Sequence, residues 1–269
     1  MENKYIQNPL NNKYIIEKLL STGSNSKVYI GQNIKENIKI IIKKINITIK
    51  NKHKINKEIE IPKKLNHPNI ITILDHFEQN DIAYIIYRYY ENSISLSNIK
   101  LIFIDNIKYY SNLFYQIVDA IQYLHSQKII HMDIKPQNII VSNNKSVLID
   151  FDLSLTLNNN KTDFIGWIGT PNYMAPEIWK KKNKINYYLC DIYSLGITFY
   201  YICNKKLPYL SKTIEELEND INYKRPKKSN SGSTLMDNLI MSMIRKIPRK
   251  RPNYMEIKDI LNKLISINS

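Results

Sequence analysis

His131-Met132-Asp133-Ile134-Lys135-Pro136-Gln137-Asn138, followed by the apolar Ile139-Ile140-Val141, sets an acid, a base and an amide within six positions. Twelve residues beyond Asn138, after Val147-Leu148-Ile149, comes Asp150-Phe151-Asp152. Acids and an amide at the mouths of short strands suit magnesium and phosphate, because Mg²⁺ takes hard oxygen ligands and keeps substrate phosphates as the remaining ones.

The pattern on either side differs. Upstream, Tyr14–Leu20, Val28–Gln32, Ile38–Ile45, Ile70–Phe77 and Ile82–Arg88 are β-branched or aromatic runs separated by Gly, Asn and Asp, which predicts strands. A helix is predicted over Lys54–Leu65, with Pro62 expected to break or kink it, since proline removes a donor and clashes with the carbonyl four residues back. Downstream, Ile107, Tyr110, Phe114, Ile117, Ile121 and Leu124 recur at helical spacing. Further helices are predicted at 190–203, 213–220, 234–246 and 254–267, and the polar stretches Asn158–Thr162 and Lys224–Thr234 read as exposed loops. A β-rich half therefore precedes an α-rich half, an α+β class without internal repeats.

The chain has 269 residues, 43% of them hydrophobic, enough to bury one large core or two small ones and to exclude a disordered or purely fibrous protein. Apolar runs such as Ile38–Ile42 and Ile82–Tyr87 are too short to span a bilayer. Met1-Glu2-Asn3-Lys4 opens no signal-peptide core, so a soluble protein of the cytoplasm or nucleus is expected. Cys190 and Cys203 have no metal-ligand spacing and read as ordinary half-buried thiols.

Fifty Ile, 34 Asn and 34 Lys stand against 5 Arg, 3 Ala and 6 Gly. The abundant residues have A/T-rich codons and the scarce ones G/C-rich codons, so the net charge of +15 reads as background surface charge rather than a nucleic-acid face. The densest run, Lys50, Lys52, Lys54 and Lys57, is the place where an anionic contact would lie.

From Tyr14 to about Ile267 the sequence resembles the eukaryotic-type protein kinase family. The likeness is carried, in order, by Lys43 after Ile40-Ile41-Ile42, the 131–138 run, Asp150-Phe151, Gly169-Thr170-Pro171 leading to Ala175-Pro176-Glu177, Asp191-Ile192-Tyr193-Ser194-Leu195-Gly196, and Arg251-Pro252. It implies a bilobal fold with a β-rich N-terminal lobe over 14–90, an α-helical C-terminal lobe over 91–267 and a short extension at 1–13, leaving no room for a regulatory domain. It also implies a monomer that transfers the γ-phosphate of ATP to Ser or Thr hydroxyls of protein substrates, with Mg²⁺, or Mn²⁺ as the second candidate.

Residue by residue, the resemblance makes Asp133 the acceptor of the substrate hydroxyl's proton, Lys135 the cation at the transferred phosphate, and Asn138 a magnesium ligand that also orients Asp133. Asp150 becomes the principal magnesium ligand. Lys43 grips the α- and β-phosphates with Glu58 as its helix partner and Glu60 as runner-up. Ser21, Gly23, Ser26, Val28, Ile41, Tyr87, Tyr89 and Ile140 complete the nucleotide site, and Glu177 is expected to pair with Arg251.

The departures from the family pattern motivate an alternative, a pseudokinase that binds partners without transferring phosphate. Ser21 and Ser26 replace two glycines of the nucleotide loop, Asp152 replaces the glycine of the metal-binding triplet, and Pro62 follows Glu58 by one turn. Asp tolerates left-handed backbone angles, so the turn at Asp152 is feasible. Ile41 and Tyr87 are expected to narrow the adenine pocket. Met132 stands where many kinases carry Arg, so activation is not expected to wait for phosphorylation of Ser154, Thr156 or Thr162. Lys135 with Thr170 resembles the Ser/Thr branch, while the run His131–Pro136 is also similar to that of the tyrosine-modifying Wee-type kinases.

Overall fold

The protein is described by a computed structural model over residues 10–23, 25–100, 102–157, 166–181 and 184–266. It divides into two compact units, Met1–Asn66 with Ile71–Glu91, and His67–Ile70 with Asn92–Ser269.

In the first unit, strands β1 (Tyr14–Thr22), β2 (Ser26–Asn33), β3 (Ile38–Asn46), β4 (Ile73–Gln79) and β5 (Ile82–Arg88) form an antiparallel sheet of order β1-β2-β3-β5-β4. Side chains alternate between its faces. Tyr14, Ile40, Ile42, Tyr84 and Ile86 build a buried cluster on one side. Ile41, Lys43, Ile85 and Tyr87, one register step away, share the other. Helix α1 (Lys52–Lys63) buries Ile55, Glu58, Ile59, Ile61 and Pro62. Lys50, Lys52 and Lys54 are exposed.

Two expectations are corrected here. Pro62 does not break the helix: α1 runs through it to Lys63, since the carbonyl that loses its donor, Glu58, lies within about one turn of the helix end, and the Lys64 amide closes that end on the Ile61 and Pro62 carbonyls. The strand expected over Ile70–Phe77 starts only at Ile73, because Ile70 makes an isolated parallel bridge to Leu148 and belongs to the second unit.

The second unit is built around α2 (Ile107–Ser126). Strands β6 (Ile94–Ser95), β8 (Ile139–Ser142) and β9 (Lys145–Leu148) form one small sheet, and β7 (Ile129–Ile130) pairs with β10 (Leu155–Thr156) in another. The β8–β9 hairpin turns on Asn143 and Asn144, both at positive φ (47° and 63°), the backbone a two-residue hairpin loop requires. Seven of the positive-φ positions outside glycine are asparagines, the residue that tolerates this region best after glycine.

The short α3 (Pro176–Trp179) precedes α4 (Tyr187–Asn204), which is apolar nearly all round and buried accordingly. Phe199 on α4 stacks on Phe114 of α2 with ring centroids 3.9 Å apart. Then come α5 (Ile214–Tyr223) and α6 (Thr234–Met243), whose N-termini are capped by the Thr213 and Ser233 hydroxyls, and α7 (Tyr254–Ser266).

The stretch Lys224–Thr234 is not simply an exposed loop. Ser229 and Ser231 are buried and both donate to Asp237 Oδ1, which ties the segment to α6. Asn158–Thr162 lies outside the described residues. Cys203 is half-buried as expected, whereas Cys190 is fully buried, and burial pushes both thiols well above their ordinary range. Among the described residues no helix is long and apolar enough to cross a membrane.

Candidate active site

Two constellations assemble, one in each unit. In the first, the strand register lines Ser21 opposite Val28, Val28 opposite Lys43 and Ile41 opposite Tyr87. Gly23 and Ser26 close the β1–β2 turn, with the Gly23 amide donating to the Ser26 carbonyl. Lys43 Nζ pairs with Glu58 Oε1, and the Tyr87 hydroxyl donates to that same oxygen at 2.7 Å. Glu60 is not the partner: its side chain is 54% exposed and meets Lys63. Tyr89 lies just past β5 with Lys39 Nζ over its ring.

The second constellation centres on Asp133, which is buried. Its Oδ1 accepts from the Thr170 amide (2.9 Å) and hydroxyl (2.6 Å). Its Oδ2 accepts from Lys135 Nζ (2.6 Å) and Asn138 Nδ2 (3.0 Å). Burial pushes the carboxyl pKa up, but the hydrogen bonds from Lys135 and Thr170 outweigh it and hold the group below the usual carboxylate range. Lys135 Nζ also reaches Thr170 Oγ1 at 2.7 Å.

Thr170 is delivered by Gly169, whose φ of +111° and close approach leave no room for a side chain: a Cβ there would lie 2.6 Å from the Met132 carbonyl oxygen. Met132 itself is buried at φ +68°.

Asn138 and Asp150 are neighbours by register. Ile139 pairs with Leu148, and the Ile149 amide donates to the Asn138 carbonyl, so Asn138, just before β8, sits across from the residue before Asp150. Asn138 Nδ2 is committed to Asp133, to the carboxylate and to the backbone carbonyl (2.9 Å), which orients the amide. Oδ1 of Asn138 and the Asp150 carboxylate are the hard oxygens of this neighbourhood. Among the described residues no three His, Cys, Asp or Glu side chains gather into a metal cage. Ile140 follows in β8, opposite Val147 and Ser95.

Asp150, not Asp152, takes the left-handed backbone (φ +69°). Replacing glycine by Asp152 therefore costs no backbone strain. Ser154 is fully buried and its hydroxyl donates to the His131 carbonyl. Thr156 lies in β10 and is exposed, and Thr162 is outside the described residues.

A support missed by sequence reading lies behind the catalytic loop. Asp191, on α4, accepts the His131 amide (2.8 Å), the Met132 amide (2.9 Å) and His125 Nε2 (2.9 Å). The Tyr254 hydroxyl lies 2.5 Å from His125 Nδ1. Asp191 stood in a recognised motif without a role, and nothing in spacing points to His125 or Tyr254. Further out, Arg251 grips Glu177 with two bonds of 2.6 and 2.8 Å, both side chains buried.

The family described as protein kinase domain matches residues 14–262. The chain belongs to the protein kinase family. This kinase is 46% identical over 258 residues to protein R436 of Acanthamoeba polyphaga mimivirus, whose name places it among serine/threonine-protein kinases; the alignment covers 93% of each chain. It is 34% identical over 223 residues to calcium-dependent protein kinase 6 of Plasmodium berghei, covering 81% of this chain and 15% of that one. Against serine/threonine-protein kinase Nek5 of Homo sapiens it is 31% identical over 256 residues, covering 91% of this chain and 36% of that one. The kinase is thus an ATP-dependent serine/threonine-protein kinase. Nothing in these likenesses favours the pseudokinase alternative or the tyrosine branch.

Proposed function

We propose that Asp133 accepts the proton of a protein Ser or Thr hydroxyl as that oxygen attacks the γ-phosphate of ATP. The observation that carries this reading is the convergence of four donors on the two Asp133 oxygens. Held ionised by Lys135 and Thr170, the carboxylate hydrogen-bonds and orients the incoming hydroxyl, and takes its proton late, once bonding to phosphorus has made it acidic. Lys135 supplies a fixed cation for the charge spread over the equatorial phosphate oxygens.

Lys43, set by Glu58, is assigned to the α- and β-phosphates. Ser21, Gly23, Ser26, Val28, Ile41, Tyr87, Tyr89 and Ile140 are assigned to the nucleotide. Asn138 and Asp150 would hold a magnesium ion, which when bound neutralises phosphate charge. We place the kinase in a reducing compartment, cytoplasm or nucleus, where its two free thiols persist.

The test is transfer from labelled ATP to a generic protein substrate. Asp133→Asn should abolish transfer while leaving nucleotide binding within about threefold, since the side chain acts on the acceptor. Asp150→Asn should weaken magnesium-dependent nucleotide binding as well. Equal loss of binding in both variants would overturn the division of roles.

A further inference from the structure

Glu58 receives two donors on one oxygen. Lys43 faces Ile85 across the β3–β5 ladder and Ile41 faces Tyr87, so Lys43 and Tyr87 project from the same face as diagonal neighbours. Helix α1 sets Glu58 over that face, next to the buried Ile55 and Ile59. Glu58 is 4% exposed and Tyr87 7%. The bond between them is therefore made out of water, where a hydrogen bond to a carboxylate is strong and solvent cannot replace it.

The start of α1 is tied to the end of β3, where the Asn51 side chain accepts from the Thr48 amide and donates to the Asn46 carbonyl, both at 2.8 Å; these bonds place the helix but do not reach the Glu58 carboxylate. The Glu58 carboxylate ends a side chain with rotatable bonds, and its apolar neighbours Ile55 and Ile59 offer it no hydrogen bond. The Tyr87 hydroxyl removes that freedom.

We propose that Tyr87 is a positioning residue: its hydroxyl fixes the Glu58 carboxylate in the orientation that receives Lys43, so the ammonium is aligned before nucleotide binds. Sequence reading treats Tyr87 only as bulk that narrows a pocket. Here the ring fills space and the hydroxyl acts on the ion pair. An apolar residue of similar size keeps the first effect and loses the second. The proposal rests on the assignment of Lys43 to the phosphates made above.

The test is a double-mutant cycle on kcat/KM for ATP, read with melting temperatures. Tyr87→Phe should lower kcat/KM about tenfold, the scale of one hydrogen bond to a charged group, and leave KM for the protein substrate unchanged. Tyr87→Met, also without a hydroxyl, should lose about as much. In a Glu58→Ala background, itself strongly impaired, adding Tyr87→Phe should cost no more than about twofold, because the group it acts on is gone.

Wild-type kcat/KM in Tyr87→Phe would overturn the proposal. So would a full further loss in the Glu58→Ala background, which would make Tyr87 act independently of Glu58. Should Glu58→Ala not fold, agreement between the Phe and Met variants decides the matter: a loss in Met alone traces to ring shape and overturns the hydroxyl role. Lys43→Met separates the two levels. If it retains full transfer, the phosphate assignment is wrong; if it is inert while Tyr87→Phe is normal, only the Tyr87 tie is wrong.

Discussion

The two lysine–carboxylate pairs of the candidate active site are secured differently. Glu58, in the first unit, takes Lys43 and Tyr87 on one oxygen, and its helix has no side-chain cap at its start. Asp133, in the second, has donors on both oxygens from three residues in two segments of chain, and the backbone beside it hangs on Asp191. Redundant ties make the second pair a fixed part of its unit. In the first, both donors share one carboxylate oxygen, so a change of one atom at Tyr87 acts directly on the Lys43 pair.

The most damaging way to break this contrast is Asp191→Ala. It strands two amides and an imidazole in a site with no solvent access, and should cost about 3–5 kcal/mol and abolish transfer. Both tryptophans, Trp167 and Trp179, belong to the second unit, so denaturant titration followed by their fluorescence reports on that unit. An unchanged fluorescence midpoint would refute the role given to Asp191.

Tyr254→Phe sharpens the comparison. It removes one outer member of the same network, and should cost about 1 kcal/mol by fluorescence while kcat stays within about twofold, because Asp191 keeps its other donors. The contrast with Tyr87→Phe is the point to measure: one hydroxyl each, with a large kinetic effect only in the first unit.

The smallest effect lies in acid. Asp75, in the first unit, is partly buried, which raises its pKa, yet the Tyr14 hydroxyl, Lys13 and the His76 amide hold it below the usual carboxylate range. A depressed folded pKa contributes stability that is fully present above the unfolded value of about 3.9 and is lost as pH falls through the folded value. Asp75→Asn should therefore lose under about 1 kcal/mol near neutrality, given its partial exposure, and show a shallower decline of stability below about pH 4. A decline as steep as wild type, followed by far-ultraviolet circular dichroism, would remove Asp75 from the cause.

Much of the architecture was legible because hydrophobic period is a local property. The alternation of β3 and β5 and the helical spacing from Ile107 to Leu124 predict elements close to those observed. The residues that gather around Asp133 were legible for a related reason: Lys135 and Asn138 lie within five positions of it. What escaped depends on distance in sequence. Asp191, His125 and Tyr254 meet only because three helices converge. The Tyr87 hydroxyl meets Glu58 across 29 positions. The burial of Ser154 and the left-handed angle at Asp150 rather than Asp152 are set by tertiary packing, on which local composition is silent. Pro62 was misjudged because its cost depends on where the helix ends.

The asparagines that close the turns also determine how the protein ages. Asn11, Asn12, Asn37, Asn80, Asn92, Asn143 and Asn144 all hold left-handed backbone, and asparagine is among the thermolabile side chains. Hydrolysis of the side-chain amide consumes water, releases ammonia and leaves a carboxylate, so each event adds a negative charge. Stored warm, the kinase should resolve into a ladder of increasingly acidic charge variants before it loses its fold.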